Sequence, residues 1–120
     1  MIVDGQTHGG TVHGIGNALF EHMHFDADGN PLTTTLQDYL LPTAPEVPMF
    51  QVHHIETPNP LNPIGVKGAG EGGAIPAPAA IISAVENALS PFGVSFNEMP
   101  LTPEAIVRAL QAAGAYDKLS

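Results

Sequence analysis

The sequence predicts an α+β fold, with helices at both ends packed on a small mixed sheet formed between them. Three observations carry that prediction. Apolar residues recur at steps of three and four near the start of the chain, after residue 78 and after residue 102. β-Branched and aromatic residues concentrate in residues 49–57. An Asp-Gly turn within "DADGN" separates two short stretches able to pair as a hairpin.

In chain order, residues 7–23 place Val12, Ile15, Leu19 and Met23 on one helical face. Gly9, Gly10, Gly14 and Gly16 each cost about 1 kcal/mol relative to alanine inside a helix, so another backbone or a ligand is expected to come very close to that turn. The turn at 26–30 joins residues 22–25 and 32–36 as hairpin strands. Pro42, Pro45, Pro48, Pro58, Pro60 and Pro63 keep the next region extended or turning rather than helical. Within it "MFQVHHIET" reads as a strand and "TPNPLNP" as a rigid connector.

Residues 79–89 place Ile81, Ile82, Val85 and Leu89 on one face, and Pro76 and Pro78 suit the first turn of that helix. The last helix has Thr102 as N-cap, Pro103 at its first position and Glu104 near the positive end of the dipole. Ile106, Val107 and Leu110 form its apolar stripe. The core is thin for so many apolar faces, which are expected to pack on something outside this chain.

The chain of 120 residues makes one domain at most, residues 1–120, expected to bury about 65% of its unfolded surface. Thirteen glycines and twelve prolines are about a fifth of the chain, where roughly 12% is usual, so loops dominate. A net charge of −9 repels phosphate backbones and anionic bilayers, which excludes nucleic acid and membrane surfaces as partners. Without cysteine there is neither a disulfide framework nor a thiolate metal site. No apolar run approaches the roughly 20 residues that span a bilayer, and the first residues lack the pattern of a signal peptide. The cytoplasm is the expected location.

The chemistry concentrates in "GVKGAGEGGAIPAP", residues 65–78, where five glycines surround one carboxylate, Glu71. Gly68 to Gly73 matches the dinucleotide fingerprint in letters only. No buried strand precedes it, two prolines follow, and a glutamate inside the loop repels phosphate. A phosphate-binding P-loop fails because no Gly-Lys-Ser/Thr follows. The histidines at 8, 13, 22, 24, 53 and 54 do not share faces at metal-ligand spacing, so no metal ligand is assigned and solvated or satisfied rings are the better reading. With no cysteine and no serine elbow, Glu71 remains. Flanked by Gly70 and Gly72, its carboxylate has room for a reacting group and suits a general base. Alternatively, the glycines only permit a tight turn and Glu71 caps the following helix; on these grounds both readings stand.

Two stretches, "GQTHGGTVHGIGNALFEH" (5–22) and "DYLLPT" with "NPIGVKGAGEGG" (38–73), resemble in order and spacing the C-terminal part of the molybdenum-cofactor subunit of the xanthine dehydrogenase, aldehyde oxidase and carbon monoxide dehydrogenase family. The similarity extends through "LTPEAIVRAL", and the wording of "DYLLP" and "NPIGVKGAGE" looks most like the bacterial carbon monoxide dehydrogenase-type large chains. It implies that this is the C-terminal portion of a molybdopterin-binding domain, as a fragment or split subunit. It also implies Glu71 as catalytic base beside the molybdenum, Gln6 as a cofactor contact, and Lys67, Gly68, Ala69 and Gly70 as the stretch that brings backbone amides to the cofactor. The activity implied is oxidation of an aldehyde, an N-heterocycle or carbon monoxide with water as oxygen source. A molybdenum–molybdopterin cofactor would be bound with the N-terminal remainder of the subunit, and 2Fe-2S clusters and FAD would sit on partner subunits. The alternative is a non-catalytic accessory or assembly fragment of such a complex.

Overall fold

The computed structural model describes residues 1–115. Three α-helices, α1 (Ile2–Leu19), α2 (Ala77–Ala88) and α3 (Pro103–Ala112), are joined by long irregular segments. Short 3-10 turns occur at Ala44–Glu46 and Ser90–Phe92. The expected mixed sheet is absent among the described residues, whose only β-pairing is one antiparallel bridge between Phe25 and Pro31.

The hairpin begins and stops for a physical reason. Asp26 builds the turn: its carboxylate accepts the Asp28 and Asn30 amides at 2.9 and 2.8 Å and the Asn30 side chain at 2.9 Å. Gly29 supplies the positive φ of 83° that the turn requires. The Asn30 hydrogen bond holds the Asp26 carboxyl below the usual carboxylate range. Pro31 faces Phe25 in the one bridge, flanked by the Asp26 amide on the Asn30 carbonyl at 2.9 Å and the Leu32 amide on the His24 carbonyl at 2.8 Å. Past it, the buried Thr33 hydroxyl takes over, accepting the His24 amide at 2.9 Å and donating to the His22 carbonyl at 3.3 Å.

The expected strand at 49–57 does not form: among the described residues its backbone finds no pairing partner, and an isolated strand leaves its backbone groups to solvent. Met49 and Ile55 are almost wholly exposed, while Phe50 lies against α1 with its ring 5.8 Å from that of His8.

Helix α1 runs five residues earlier than expected and ends before Met23. Its termination is local: the amides of Phe20 and Glu21 both return to the Gly16 carbonyl, at 2.9 and 2.8 Å. Past that end, the Glu21 carboxylate folds over Gly16, where a Cβ would collide with it, and accepts the Tyr39 hydroxyl at 2.5 Å. This ties the "DYLLP" segment to the helix and raises the Tyr39 pKa.

The close approach expected at the helix glycines is present on one side of α1. A Cβ on Gly14 would lie 2.5 Å from the Ala77 Cβ, and one on Gly10 would lie 3.0 Å from the Ala74 amide nitrogen. Helices α1 and α2 therefore pack nearly backbone to backbone. Gly9, by contrast, has open space around it.

Helix α2 starts two residues before the expected Ala79, with Pro76 as its N-cap and Pro78 in the first turn. Its Ile81, Ile82, Val85 and Leu89 are half-buried. Helix α3 starts as expected, with the Thr102 hydroxyl accepting the Ala105 amide at 3.2 Å. Of its expected stripe, Ile106 and Leu110 are half-buried and Val107 faces outward. The apolar core is small: Ile15, Ala18, Leu101 and Ala115, with the Leu101 amide on the Ala18 carbonyl at 2.6 Å.

The accessible surface is 8893 Å², against about 6200 Å² for a compact protein of this mass, so about half rather than 65% of the unfolded surface is buried. The radius of gyration is 18.5 Å, against about 14 Å for a compact chain of this length. Ile2, Leu36, Met49, Ile55, Leu61, Ile64 and Ile75 all stand in solvent, so the uncovered apolar surface lies mostly on the irregular segments rather than on the helical faces where it was expected. No helix among the described residues is long and apolar enough to cross a membrane.

Candidate functional site

The glycine loop runs between two anchors. At its start, Asn62 grips both backbone groups of Val66, accepting the amide at Oδ1 and donating from Nδ2 to the carbonyl, each at 3.0 Å. The Asn62 carbonyl accepts the Gly65 amide at 3.2 Å, and the Gly65 carbonyl accepts the Asn59 amide at 3.0 Å. Gly65 has φ 67° and its missing Cβ would lie 2.9 Å from that of Pro58, so only glycine fits. The Lys67 ammonium donates to the Thr57 hydroxyl. These contacts fold residues 57–67 into a compact knot.

At its end, the loop lies on α1. Gly73 is buried, and a Cβ there would sit 2.5 Å from the Thr7 carbonyl oxygen and 2.9 Å from the Thr11 nitrogen. One turn away, the Gln6 side chain donates from Nε2 to the Gly70 carbonyl at 2.8 Å. The expected site residues Gln6 and Glu71, 65 positions apart in the chain, are thus brought together through the peptide that joins Gly70 to Glu71. This bond uses one of the two N–H donors on Gln6 Nε2.

Glu71 has a divided role. Its carbonyl accepts the Ala74 and Ile75 amides at 3.0 and 3.1 Å and so belongs to the turn leading into α2. Its side chain is exposed and makes no hydrogen bond or ion pair among the described residues. It does not cap α2, whose N-cap is Pro76 without a side-chain cap bond.

Between the anchors the backbone is bare. The amides of residues 67–73 donate to no acceptor among the described residues. Gly68, Gly70 and Gly72 have no atom within 4 Å of where a Cβ would stand. Lys67, Gly68 and Ala69 also border an open groove of about 720 Å³ shared with Asp4, His54 and Thr57. His54 Nε2 is 2.8 Å from Asp4 Oδ1, bracing the extended segment against the start of α1. Chemically, the loop offers unpaired N–H donors and one unpaired carboxylate to whatever fills the space above it.

A groove of about 850 Å³ lies elsewhere, lined by Phe20, His22, His24, Asp38, Met99 and Glu104 among others. The His22 and His24 rings lie there 4.1 Å apart, tilted 43° to one another. Among the described residues no three His, Asp or Glu side chains come together to hold a metal ion. The residues that sequence reasoning missed are Asn62, Asn59 and Thr57. The available signal was an asparagine before proline followed by glycine, a pattern in which the side-chain amide bonds nearby backbone.

A family model described as a molybdopterin cofactor-binding domain matches residues 1–48. The chain is 53% identical over 108 residues to the nicotine 6-hydroxylase large subunit of Paenarthrobacter nicotinovorans, covering 90% of this chain and 13% of that protein. It is 40% identical over 111 residues to the carbon monoxide dehydrogenase large chain of Hydrogenophaga pseudoflava, covering 92% of this chain and 14% of that one. Its fold matches the crystal structure of quinoline 2-oxidoreductase from Pseudomonas putida 86 with a TM-score of 0.89 at 48% identity, over 92% of this chain and 14% of that one. The chain therefore spans about a seventh of the length of the relatives it matches.

Proposed function

Because this chain belongs to the molybdopterin-binding large-subunit family of xanthine dehydrogenase, aldehyde oxidase and carbon monoxide dehydrogenase, we propose that its glycine loop presents Glu71 as the proton acceptor in a molybdenum-dependent oxidation of an N-heterocycle. The observation that carries the reading is the unpaired Glu71 carboxylate, set in a loop of unpaired amides whose glycines leave the approach open.

The loop fits the cofactor. A pterin brings ligands for its own metal and asks the protein for hydrogen-bond donors and room, and residues 67–73 offer unpaired amides under open space. Lys67, Gly68, Ala69 and Gly70 would supply those donors, with Gln6 holding the loop at the Gly70 carbonyl. When bound, the molybdenum group supplies a two-electron acceptor for oxidising a substrate carbon, with water as the source of the oxygen.

Within that chemistry, Glu71 takes up at a carboxylate oxygen the proton that the incoming oxygen must lose, which is general-base catalysis. Gly70 and Gly72 keep bulk away from that oxygen on both sides. The turn bonds from Ala74 and Ile75 to the Glu71 carbonyl fix its backbone and leave the side chain free of other bonds. The exposed apolar residues Ile64, Val66 and Ile75 around the loop are then covered by the remainder of the large subunit. Partner subunits carrying 2Fe-2S clusters and FAD lead the electrons away.

The N-heterocycle is favoured over the other substrates by similarity: 53% identity to a nicotine hydroxylase and 48% to a quinoline oxidoreductase, against 40% to a carbon monoxide dehydrogenase. The test is substrate-dependent reduction of a dye by the molybdenum-loaded complex that contains this chain, offered nicotine, quinoline, xanthine and carbon monoxide in turn. Oxidation of a heterocycle, with label from ¹⁸O-water in the product, is expected. A loaded complex that oxidises carbon monoxide alone, or product oxygen derived from dioxygen, would sink the reading.

A further inference from the structure

We infer that Asn62 is a positioning residue for the site, a clasp that sets where the bare amides and Glu71 stand. The inference rests on the proposed role of the glycine loop and adds the residue that holds it. A loop with glycines at 65, 68, 70, 72 and 73 has little stiffness of its own, so its geometry depends on its anchors. The far anchor is Gly73 against α1, with Gln6 on Gly70. At the near anchor, one side chain does most of the holding.

The Asn62 amide pairs with Val66 as a neighbouring strand would, one donor and one acceptor, both at 3.0 Å. This satisfies both backbone groups of the residue immediately before the run of bare amides and fixes the direction in which that run departs. The Asn62 carbonyl holds Gly65 at 3.2 Å, so three bonds converge from a single residue. Asn62 is half-buried and stands outside the loop, with no reacting group near it. Its effect on chemistry is therefore geometric. A displacement of about 1 Å at such a site can cost about 100-fold in rate.

The test uses the molybdenum-loaded complex and three measurements: exchange protection of the Val66 amide, molybdenum content, and kcat against KM for the heterocycle it oxidises. With Asn62→Ala, Val66 protection should fall about tenfold or more, and kcat should fall about 10- to 100-fold with KM within about threefold. Asn62→Asp keeps the acceptor for the Val66 amide but turns an ionised oxygen against the Val66 carbonyl. Its Val66 protection, relative to wild type, should recover only as the pH is lowered through about 4, the ordinary aspartate range, where the protonated carboxyl can donate as the amide did.

Wild-type Val66 protection in Asn62→Ala overturns the clasp. Lost protection with unchanged kcat and molybdenum content overturns the positioning role. Neither result bears on Glu71. Conversely, full turnover by Glu71→Gln would overturn the base assignment while leaving the Val66 measurement to decide the clasp.

Discussion

Gly73→Ala places a methyl group where the structure has no room for one. The added Cβ would stand 2.5 Å from the Thr7 carbonyl oxygen, 2.9 Å from the Thr11 nitrogen and 3.2 Å from the Gly10 carbonyl carbon, so the loop must retreat by roughly 0.9 Å to reach ordinary contact at 3.4 Å. All three obstacles are backbone of α1, which cannot turn aside as a side chain would. Overpacking of this kind costs about 1–3 kcal/mol, which multiplies the population of the locally opened loop about 5- to 150-fold.

The amides that report it are Ala74 and Ile75, bonded to the Glu71 carbonyl at 3.0 and 3.1 Å. Their exchange in the assembled complex should accelerate by that factor. Turnover should fall by as much as about 100-fold, because Glu71 moves with Gly73. Gly72→Ala is the control for folding. Nothing lies within 4 Å of its Cβ, so Ala74 and Ile75 should exchange as in wild type, while molybdenum content falls because the methyl group enters the space assigned to the cofactor. Unchanged exchange and turnover in Gly73→Ala would refute the close packing of the loop on α1. Equal disturbance by the two substitutions would refute the distinction between a packed and an open glycine.

Within α1 the same contrast is predicted for Gly9→Ala and Gly14→Ala. The first, in open space, should stabilise the helix by about 0.5–1 kcal/mol, whereas the second, 2.5 Å from the Ala77 Cβ, should be destabilising by about 1–3 kcal/mol, both read from exchange of the helix amides. The turn at 26–30 should loosen in acid. Its Asp26 carboxyl titrates below 3.8 when folded, so its contribution is complete above that value and is lost as the pH falls through the lowered folded pKa. Faster exchange of the Asp28 and Asn30 amides from pH 7 downward to about 4, with no further change below, would contradict this. Gln6→Glu replaces the donor to the Gly70 carbonyl with an acceptor. It should lower kcat without lowering the protection of Val66, since that amide is held by Asn62.

Local signals carried the parts of the fold that are locally determined. Thr102, Pro103 and Glu104 specify a helix start whatever surrounds them, and α3 begins there. The glycines of α1 announced a close neighbour, because their helix cost has to be offset by packing, and Gly10 and Gly14 lie against the segment that opens α2. The sheet was illegible for the converse reason. β-Branched content in residues 49–57 describes a surface suited to pairing, yet pairing needs a second strand, and the hairpin gives way after one bridge to side-chain bonds from Thr33.

Within the site, the bare carboxylate was visible in the pattern of glycines around Glu71. The link from Gln6 to Gly70 was not, because a contact across 64 positions leaves no trace in spacing. Asn62 was only half legible: an asparagine before proline and glycine marks a side chain that bonds nearby backbone, but the order of residues does not say that the backbone is that of Val66, four places ahead.

The reduction rate of the molybdenum-loaded Glu71→Gln complex in a single turnover, with metal content measured on the same sample, tests the central claim most directly. A carboxamide of nearly the same shape cannot take up a proton, so the rate should drop about 100- to 10,000-fold at unchanged molybdenum content. A rate within about threefold of wild type would mean that the proton goes elsewhere and that the open carboxylate serves some other purpose.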